Sequence, residues 1–252
     1  MGNISPVSII IPTLNEEGYL PLLLESLKKI SSPLDITVVD GNSTDKTCEV
    51  AERFQQFFIG VSSLRLIRSE KRSISLQRNM GAEHAKHDIL IFSDADIILP
   101  SYEAHEKMIT EFLKNKYVAG APIMAPIESQ WDIRLAYKLM TWTQKILLML
   151  DRPYFAGSYL LTTKDTFFRI GGFDPNVLLG EDIDYSLRAA KLGACGLLKT
   201  SILVSARRLV KYGYMWIFKD ITNLFRLLFT GRVRAEKIFY PFGDFGNPPV
   251  KK

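Results

Sequence analysis

Four short apolar runs, separated by stretches of helical periodicity, constrain the fold more than any other feature of the sequence. The runs lie at residues 7–11, 36–40, 64–67 and 89–93. In the intervals, apolar residues recur three or four positions apart, which predicts amphipathic helices over residues 17–30, 46–57 and 74–86. Strands and helices that alternate at this spacing build βαβ units. The sequence therefore predicts an α/β fold with a mostly parallel central sheet flanked by helices.

The pattern changes after residue 100, where longer apolar helices replace the regular alternation. The predicted helices are 102–113, 131–150, 183–192 and 212–228, and the predicted strands are 117–124, 154–162 and 197–205. A chain of 252 residues fits one large domain, or one domain with an appendage. We expect a main domain over residues 5–205, followed by a basic, apolar C-terminal amphipathic helix and tail over 206–252.

The composition limits the compartment and the kinds of partner. The formal net charge of +5 suits a phosphate-bearing substrate, an anionic membrane surface or nucleic acid. Two cysteines, Cys48 and Cys195, without a C-x-x-C pair argue against a disulfide framework or a structural zinc site. Pro12 ends the first apolar run too early for a signal peptide, and no uncharged apolar stretch is long enough to span a bilayer. We expect a cytoplasmic protein, either free or peripheral on the inner face of the cell membrane.

Two aspartates separated by one small residue follow the fourth apolar run, in the motif Asp94-Ala95-Asp96. Open α/β sheets bind their ligands beyond the carboxyl ends of the strands, where this motif lies. A carboxylate pair there suits Mg²⁺ or Mn²⁺, which take oxygen ligands and bridge to phosphates. Such an ion would neutralise the charge of a departing diphosphate. The alternative is an ordinary polar turn after a strand.

Two further turns leave the same edge of the predicted sheet. Asp40 and Asp45 belong to the turn after the second strand, and residues 12–17 follow the first. Their side chains either line a ligand site or act only as turn and capping residues. No G-x-G-x-x-G follows the first strand and no G-x-x-x-x-G-K-[ST] occurs, which argues against a dinucleotide site or a P-loop.

Two more charged positions are candidates for chemistry. Arg78 lies in a predicted helix just before the fourth strand, where it either assists phosphates or is an ordinary surface arginine. Glu181 and Asp182 open a later helix, where acidic residues either compensate the helix dipole or include a general base for an attacking hydroxyl.

Taken together, these motifs resemble family 2 glycosyltransferases of the GT-A fold. The matching motifs, in chain order, are Pro12-Thr13-Leu14-Asn15-Glu16-Glu17, Val39-Asp40-Gly41-Asn42-Ser43-Thr44-Asp45, Arg78-Asn79-Met80-Gly81, Asp94-Ala95-Asp96, Gly171-Gly172-Phe173-Asp174 and Glu181-Asp182. The resemblance covers about residues 5–205, which it divides into a nucleotide-binding half (5–100) and an acceptor half (101–205).

The resemblance implies an inverting enzyme that takes its sugar from a nucleoside diphosphate-sugar of the UDP or GDP type. The positions that match nucleotide-sugar contacts are Pro12, Leu14, Glu16, Asp40, Arg78, Asp94 and Ala95. Asp94 and Asp96 match the motif that holds Mn²⁺ or Mg²⁺, with Asp96 as the direct ligand. Asp182 matches the usual catalytic base, with Glu181 beside it.

The sequence departs from the family pattern at two places. Gly41 stands where many relatives have a second aspartate, which leaves the choice between UDP and GDP open. Near the end of the last core strand, where relatives often place a histidine, the chain reads Val204-Ser205-Ala206-Arg207-Arg208. Arg207 and Arg208 are then either cationic substitutes at the diphosphate or part of a basic surface patch.

The acceptor is the open part of the prediction, because it depends on the apolar helices 131–150 and 212–228. These helices either pack in the core or against a second copy in a homodimer, or they lie on a membrane surface. The acceptor is then either a glycan hydroxyl or a polyprenyl-linked lipid. A hydroxyl requires Asp182 as base, whereas an anionic lipid phosphate requires only orientation.

Three other classes of protein remain as alternatives. A non-catalytic nucleotide-sugar or glycan-binding protein on the same fold is the main rival, although it has little use for a base opposite a metal. A nucleotidyltransferase lacks support because no Gly-rich loop follows the first strand. A nucleic-acid partner is not expected, since the basic residues form no recognisable binding motif.

Overall fold

The computed structural model describes residues 5–60, 62–177 and 180–212; the predicted helix 212–228 and the tail after it fall beyond this range, apart from Tyr212. The strands are β1 (Val7–Thr13), β2 (Leu34–Asp40), β3 (Ser63–Arg68), β4 (Ile89–Ser93), β5 (Ile97–Ile98), β6 (Ala119–Pro126), β7 (Tyr159–Thr163) and β8 (Cys195–Val204). The helices are α1 (Leu20–Leu27), α2 (Thr47–Gln55), α3 (Ile74–Glu83), α4 (Tyr102–Lys114), α5 (Trp131–Met149), α6 (Lys164–Arg169), α7 (Glu181–Ala189) and α8 (Arg207–Tyr212).

The first four strands form the parallel half of one sheet. Strand β1 pairs in parallel with β2 and with β4, and β2 pairs in parallel with β3. Every residue of β1, β2 and β4 is buried, because helices cover both faces of a parallel sheet. The carboxyl ends of β1, β2 and β4 therefore meet at one edge, as the sequence predicts.

The second half of the sheet is mixed. The strand order is β3-β2-β1-β4-β7-β6-β8-β5, and β7 runs antiparallel to both of its neighbours. Strand β6 pairs in parallel with β8, and the two-residue β5 pairs with β8 in the antiparallel sense. The antiparallel β7 thus joins the parallel half to β6 and β8, and the mostly parallel sheet of the sequence prediction is confirmed.

Two apolar clusters lie on opposite faces of this sheet. Ile9 and Ile91 point into one cluster, and their neighbours Ile10 and Phe92 point into the other, as the alternation along a strand requires. The second cluster is rich in aromatic rings: Phe173 lies 4.9 Å from Phe92 and stacks on Tyr185 at 4.6 Å, between ring centroids. Since Tyr185 belongs to α7, these rings fix α7 against the sheet.

Helix α5 packs on β6 and β8, with Ile133 and Gln144 buried. It begins and ends within one residue of the predicted helix 131–150. Among the described helices, this one included, none is both long and apolar enough to cross a bilayer.

Candidate active site

The turns after β1 and β2 are tied to each other at the edge of the sheet. The Asn15 N–H donates to Ser43 Oγ at 2.9 Å, and Asn15 Oδ1 accepts from the Thr44 N–H at 2.9 Å. Asn15 adopts a left-handed backbone (φ 56°), which asparagine tolerates better than most residues. The paired turns form a rigid polar rim beside the predicted nucleoside-binding residues.

Asp40, at the end of β2, stabilises this rim through hydrogen bonds. Its buried carboxylate accepts hydrogen bonds from the Ser43 N–H at 2.9 Å and from Thr13 Oγ1 at 3.3 Å. Pro12 and Leu14 are also buried, at the end of β1 and just after it. Asp40 therefore has the turn-stabilising role that the sequence left as one alternative, and its predicted contact with a nucleoside stays a prediction.

Gln77, which the sequence analysis did not single out, joins the ends of β1 and β2. Its Nε2 donates to the Thr13 carbonyl at 2.9 Å and to the Val39 carbonyl at 2.7 Å. A Cβ at Gly41 would lie only 3.0 Å from Gln77 Oε1. Gly41 thus leaves room for the Gln77 amide, and a lone glutamine in a helical pattern gives no signal of this contact.

The backbone of the D-x-D loop is anchored on both sides. The Asp94 N–H donates to the Ser158 carbonyl at 2.9 Å, and the Asp96 carbonyl accepts from the Ser205 N–H at 3.0 Å. The Ala95 methyl group is buried in the core, so only the backbone of Ala95 faces the rest of the loop. These contacts hold Asp94 and Asp96 in the loop that follows β4, where the parallel half of the sheet meets the mixed half.

Arg207 lies in the centre of the site. Its guanidinium donates to both carboxylate oxygens of Glu16, at 2.8 and 2.6 Å, and its Nε lies 2.8 Å from Asp96 Oδ2. The side chain is 8% exposed, and its guanidinium carbon stacks over the Tyr19 ring 4.4 Å from the centroid. For Arg207, burial excludes the reading as a surface patch; the side chain of Arg208 is outside the described part of the chain.

Glu16 is buried beside this arginine. Removal from water raises the pKa of Glu16 to about 7, although the hydrogen bonds and the charge of Arg207 lower it. The Arg207 guanidinium thus binds both Glu16 and Asp96. Its positive charge partly neutralises two carboxylates that would otherwise repel each other.

Asp182 faces the site from the first turn of α7. Its Oδ2 accepts from the Gly157 N–H at 2.5 Å, and its Oδ1 accepts from the Ile183 N–H at 2.8 Å. Removal from water, together with the neighbouring Glu181 charge, raises the pKa of Asp182 to about 7. A carboxylate that titrates near neutrality and keeps part of its surface accessible suits a general base.

Arg78 links the D-x-D loop to the start of α7. It is 1% exposed and donates to Glu181 Oε1 at 2.8 Å, to Asp94 Oδ1 at 3.2 Å and to the Gly157 carbonyl at 3.0 Å. The reading of Arg78 as a surface arginine is therefore excluded. A buried arginine between two carboxylates fixes their relative positions through a forked geometry that lysine cannot reproduce.

Gly157 connects the same groups through its backbone. Its N–H binds Asp182, its carbonyl binds Arg78, and the next residue, Ser158, binds the Asp94 N–H. A Cβ at this position would lie 2.6 Å from Arg78 Nη2, so no larger residue fits without displacing the arginine. This role could not be predicted from the sequence, because residue 157 falls in the predicted strand 154–162.

The carboxylate oxygens of the site fit a hard divalent cation that also binds substrate phosphates. Within residues 5–60, 62–177 and 180–212, no three His, Cys, Asp or Glu side chains converge on a metal position. Mg²⁺ is commonly bound through only one or two carboxylates together with substrate phosphates and water. Asp94 and Asp96 supply carboxylates of this kind, so the residues present fit such an ion.

The chain is similar in sequence to proteins named as glycosyltransferases. The model of the family described as glycosyl transferase family 2 matches residues 8–173. The chain is 32% identical over 115 residues to a 4,4'-diaponeurosporenoate glycosyltransferase of Staphylococcus haemolyticus, which covers 44% of this chain and 29% of that protein. It is 26% identical over 212 residues, 74% of this chain and 62% of the relative, to a dolichyl N-acetyl-alpha-D-glucosaminyl phosphate 3-beta-D-2,3-diacetamido-2,3-dideoxy-beta-D-glucuronosyltransferase of Methanococcus voltae. The chain spans less than two thirds of the length of these relatives.

Solved structures share the fold. TarS from S. aureus, residues 1–349, matches with a TM-score of 0.62 and 17% identity, over 86% of this chain and 66% of that one. A mannosyltransferase, PcManGT from Pyrobaculum calidifontis, in complex with GDP-Man and Mn²⁺, matches with a TM-score of 0.61 and 20% identity, over 81% and 58% of the two chains. At these identities the likeness concerns the fold alone, and it confirms the predicted α/β fold of the GT-A type.

Proposed function

The chain belongs to glycosyl transferase family 2, and from that premise we propose that it moves a sugar from a nucleoside diphosphate-sugar to an acceptor with inversion. The observation that carries the proposal is one hydrogen-bonded chain of residues. Arg78 and Gly157 join the Asp94 carboxylate, on the donor side, to Glu181 and Asp182, on the acceptor side. A transferase needs its leaving-group site and its base at a fixed separation, because proximity and orientation lower the barrier.

The donor lies against the rim formed by the turns after β1 and β2 in this proposal. Pro12, Leu14, Glu16 and Asp40 hold the nucleoside, and the diphosphate lies towards Asp94, Asp96 and Arg207. The proposal leaves open whether the nucleobase of the donor is uracil (UDP type) or guanine (GDP type), since TarS has been solved with UDP-GlcNAc and PcManGT with GDP-Man. Arg208 is proposed as a second cation on the diphosphate side.

Asp94 and Asp96 would hold a Mn²⁺ or Mg²⁺ ion, and that ion would supply charge neutralisation for the departing diphosphate. Arg207 supports the same end of the site, because its guanidinium already lies against Asp96 and Glu16. Arg78 acts as a positioning residue for Asp94 and Glu181, in addition to the predicted role near the nucleotide.

Asp182 removes the proton from the acceptor hydroxyl as that oxygen attacks the sugar. A base is active only when deprotonated, so its pKa of about 7 implies that transfer falls as the pH drops below neutrality. An acceptor that is an anionic lipid phosphate needs no base, and Asp182 would then orient it. The name of the Methanococcus voltae relative includes a dolichyl N-acetyl-alpha-D-glucosaminyl phosphate, which supports a lipid-linked acceptor for this chain.

Product release from a panel of nucleotide-sugars, with and without Mn²⁺, tests the proposal. We expect release of UDP or GDP with one donor class, lost in Asp96→Ala, and retained in Asp165→Asn, a control on α6 whose side chain is 73% exposed. Asp182→Asn should lower kcat for a hydroxyl acceptor by about 10²-fold or more while the KM for the donor changes little. The non-catalytic alternative predicts the opposite pattern, in which nucleotide-sugars stabilise the chain against heat and no nucleotide is released.

A further inference from the structure

Helix α5 carries a stripe of large apolar side chains that face away from the protein. The stripe consists of Trp131, Leu135, Leu139, Trp142, Ile146 and Met149, and all six are exposed. Successive members are three or four positions apart, so they share one side of the helix. Trp142 is 64% exposed and Met149 is 83% exposed. An exposed apolar stripe of this size marks an interaction surface.

The stripe is not the face by which α5 packs on the sheet. Ile133 and Gln144 are buried, and Tyr137 and Met140 pack against the main apolar cluster, so these residues form the inner face. At about 100° per residue, the inner residues lie on the side of the helix opposite the stripe. The core-packing interpretation of the helix 131–150 therefore holds for its inner face only.

A row of basic residues borders the stripe. Arg134, Lys138 and Lys145 are exposed and lie on one side of the helix, between the inner face and the stripe. Asp132 is the one acidic residue within Trp131–Met149. Aromatic and aliphatic residues on one side, bordered by lysine and arginine, are the pattern of helices that lie in the interface of an anionic bilayer.

Helix α5 also contacts the acceptor side of the site, through a residue outside the stripe. Leu147 of α5 packs against Ile183, the residue that follows Asp182. A bilayer in contact with the stripe would therefore be separated from this wall of the acceptor half by the width of α5. This connection rests on the proposed function, whereas the exposed stripe and its basic border do not.

We propose that the stripe of α5 and its basic border dock the chain on the surface of an anionic lipid bilayer. This occupant fits both features at once: the apolar side chains enter the acyl boundary, and the three cations meet lipid phosphates. The docked orientation presents the acceptor side of the site to molecules held in the bilayer.

Sedimentation of the full chain with vesicles tests the proposal. We expect the chain to sediment with vesicles that contain phosphatidylglycerol and to bind pure phosphatidylcholine vesicles much less. The double variant Leu139→Glu/Trp142→Glu should lose at least tenfold in affinity, whereas Ile59→Glu, a control at a 78% exposed apolar residue far along the chain, should not. Equal binding of the double variant and the native chain would overturn the proposal.

Tryptophan fluorescence gives a second readout at the stripe itself. The chain has three tryptophans, and two of them, Trp131 and Trp142, belong to the stripe. In a Trp216→Phe background, anionic vesicles should shift the emission to the blue and protect it from acrylamide. Protection that is already complete without vesicles would show that another part of the chain covers the stripe, and would overturn the proposal.

Sedimentation velocity separates the bilayer from a second copy of the chain. If Leu139→Glu/Trp142→Glu converts a dimer to a monomer and leaves vesicle binding unchanged, the stripe is a contact between copies and the proposal is wrong. Nucleotide release without vesicles is measured in parallel, so that the two proposals fail independently. A native chain that releases nucleotide but does not bind anionic vesicles rejects only the docking surface, and a native chain that binds these vesicles but releases no nucleotide rejects only the transferase.

Discussion

At the scale of single residues, Arg78 bonds to groups on both sides of the candidate site. Replacing it with methionine leaves the Glu181 and Asp94 carboxylates without their shared cation, and breaking a buried pair in this way costs about 3–5 kcal/mol of stability. Because the Arg78 charge lowers the pKa of Asp182, its removal should raise that pKa further. We therefore expect the acidic limb of the pH profile of kcat/KM to move to higher pH.

Arg78→Lys is the matched comparison, since it keeps the charge and loses the fork. It should keep the native pH limb more closely than Arg78→Met while lowering kcat. If both variants retain the native limb and differ only in thermal stability, Arg78 has a structural role and no influence on the ionisation of Asp182.

Asp182 carries a second prediction, about stability. Its pKa of about 7 in the folded chain lies above the ordinary value of 3.8, so ionisation of Asp182 favours the unfolded state. The penalty is absent below about pH 4, grows as the pH rises towards 7 and is complete above that. Asp182→Asn should thus melt at a higher temperature than the native chain at pH 8, and the difference should vanish towards pH 4. A constant difference between these pH values would contradict the raised pKa.

Arg207 is expected to act on affinity more than on rate. Arg207→Ala removes the cation beside Glu16 and Asp96 and should weaken the binding of a nucleoside diphosphate both with and without Mn²⁺. Isothermal titration with UDP and GDP measures the effect. Arg169→Ala, on the exposed side of α6, serves as the control and should leave the affinity unchanged.

At the scale of the elements, the sequence predicts best where periodicity and local turn chemistry agree. Strands β1 to β4 appear where the apolar runs predict them, and α5 begins and ends within one residue of the expected helix. The sequence predicts that β7 begins at residue 154, because an apolar stretch precedes it, whereas the strand begins five residues later, at Tyr159. In the structure, Gly157 and Ser158 lie before the strand and hydrogen-bond to residues of the site. Helix α6 and the two-residue β5 were missed, since both are too short for a periodic signal.

Some residues of the candidate site could likewise be predicted from the sequence, and others could not. The carboxylates of the D-x-D loop and of α7 could be found from the sequence, because they belong to motifs of fixed order. The roles of Gly157 and Gln77 could not, since each depends on contacts between residues more than 30 positions apart. Only the folded chain brings the Gly157 backbone to Arg78 and the Gln77 side-chain amide to the strand ends.

The loop before β7 gives a prediction at the scale of an element. Gly157→Ala would place a methyl group 2.6 Å from Arg78 Nη2 and force the arginine or the loop to move. We expect kcat to fall by at least tenfold, because a displacement of about 1 Å near reacting groups costs about 10²-fold. Steady-state kinetics with circular dichroism checks this outcome, and a folded variant with native kcat would show that the loop tolerates the displacement.

At the scale of the whole molecule, ligand binding should be visible as a gain in stability. A ligand that binds only the folded state at about 100 times its Kd stabilises by about 2.7 kcal/mol. We expect the preferred nucleoside diphosphate with Mn²⁺ to raise the melting temperature, and EDTA to remove most of the shift. Asp96→Ala should respond equally with and without Mn²⁺. A shift that EDTA leaves unchanged in the native chain would contradict a metal held by the carboxylate pair.

The hydrogen bonds of Arg78 also limit where this chain can be joined to a relative to make a functional chimera. A chimera joined near residue 100 would take Arg78 and Asp94 from one parent and Gly157 and Glu181 from the other. Arg78 bonds directly to each of the other three, so a pair of parents would have to agree at all four positions for the recombined halves to function. Exchange of α5 alone avoids this constraint, since Leu147 reaches Ile183 by apolar contact, and a chimera that exchanges only this helix keeps all four residues from one parent.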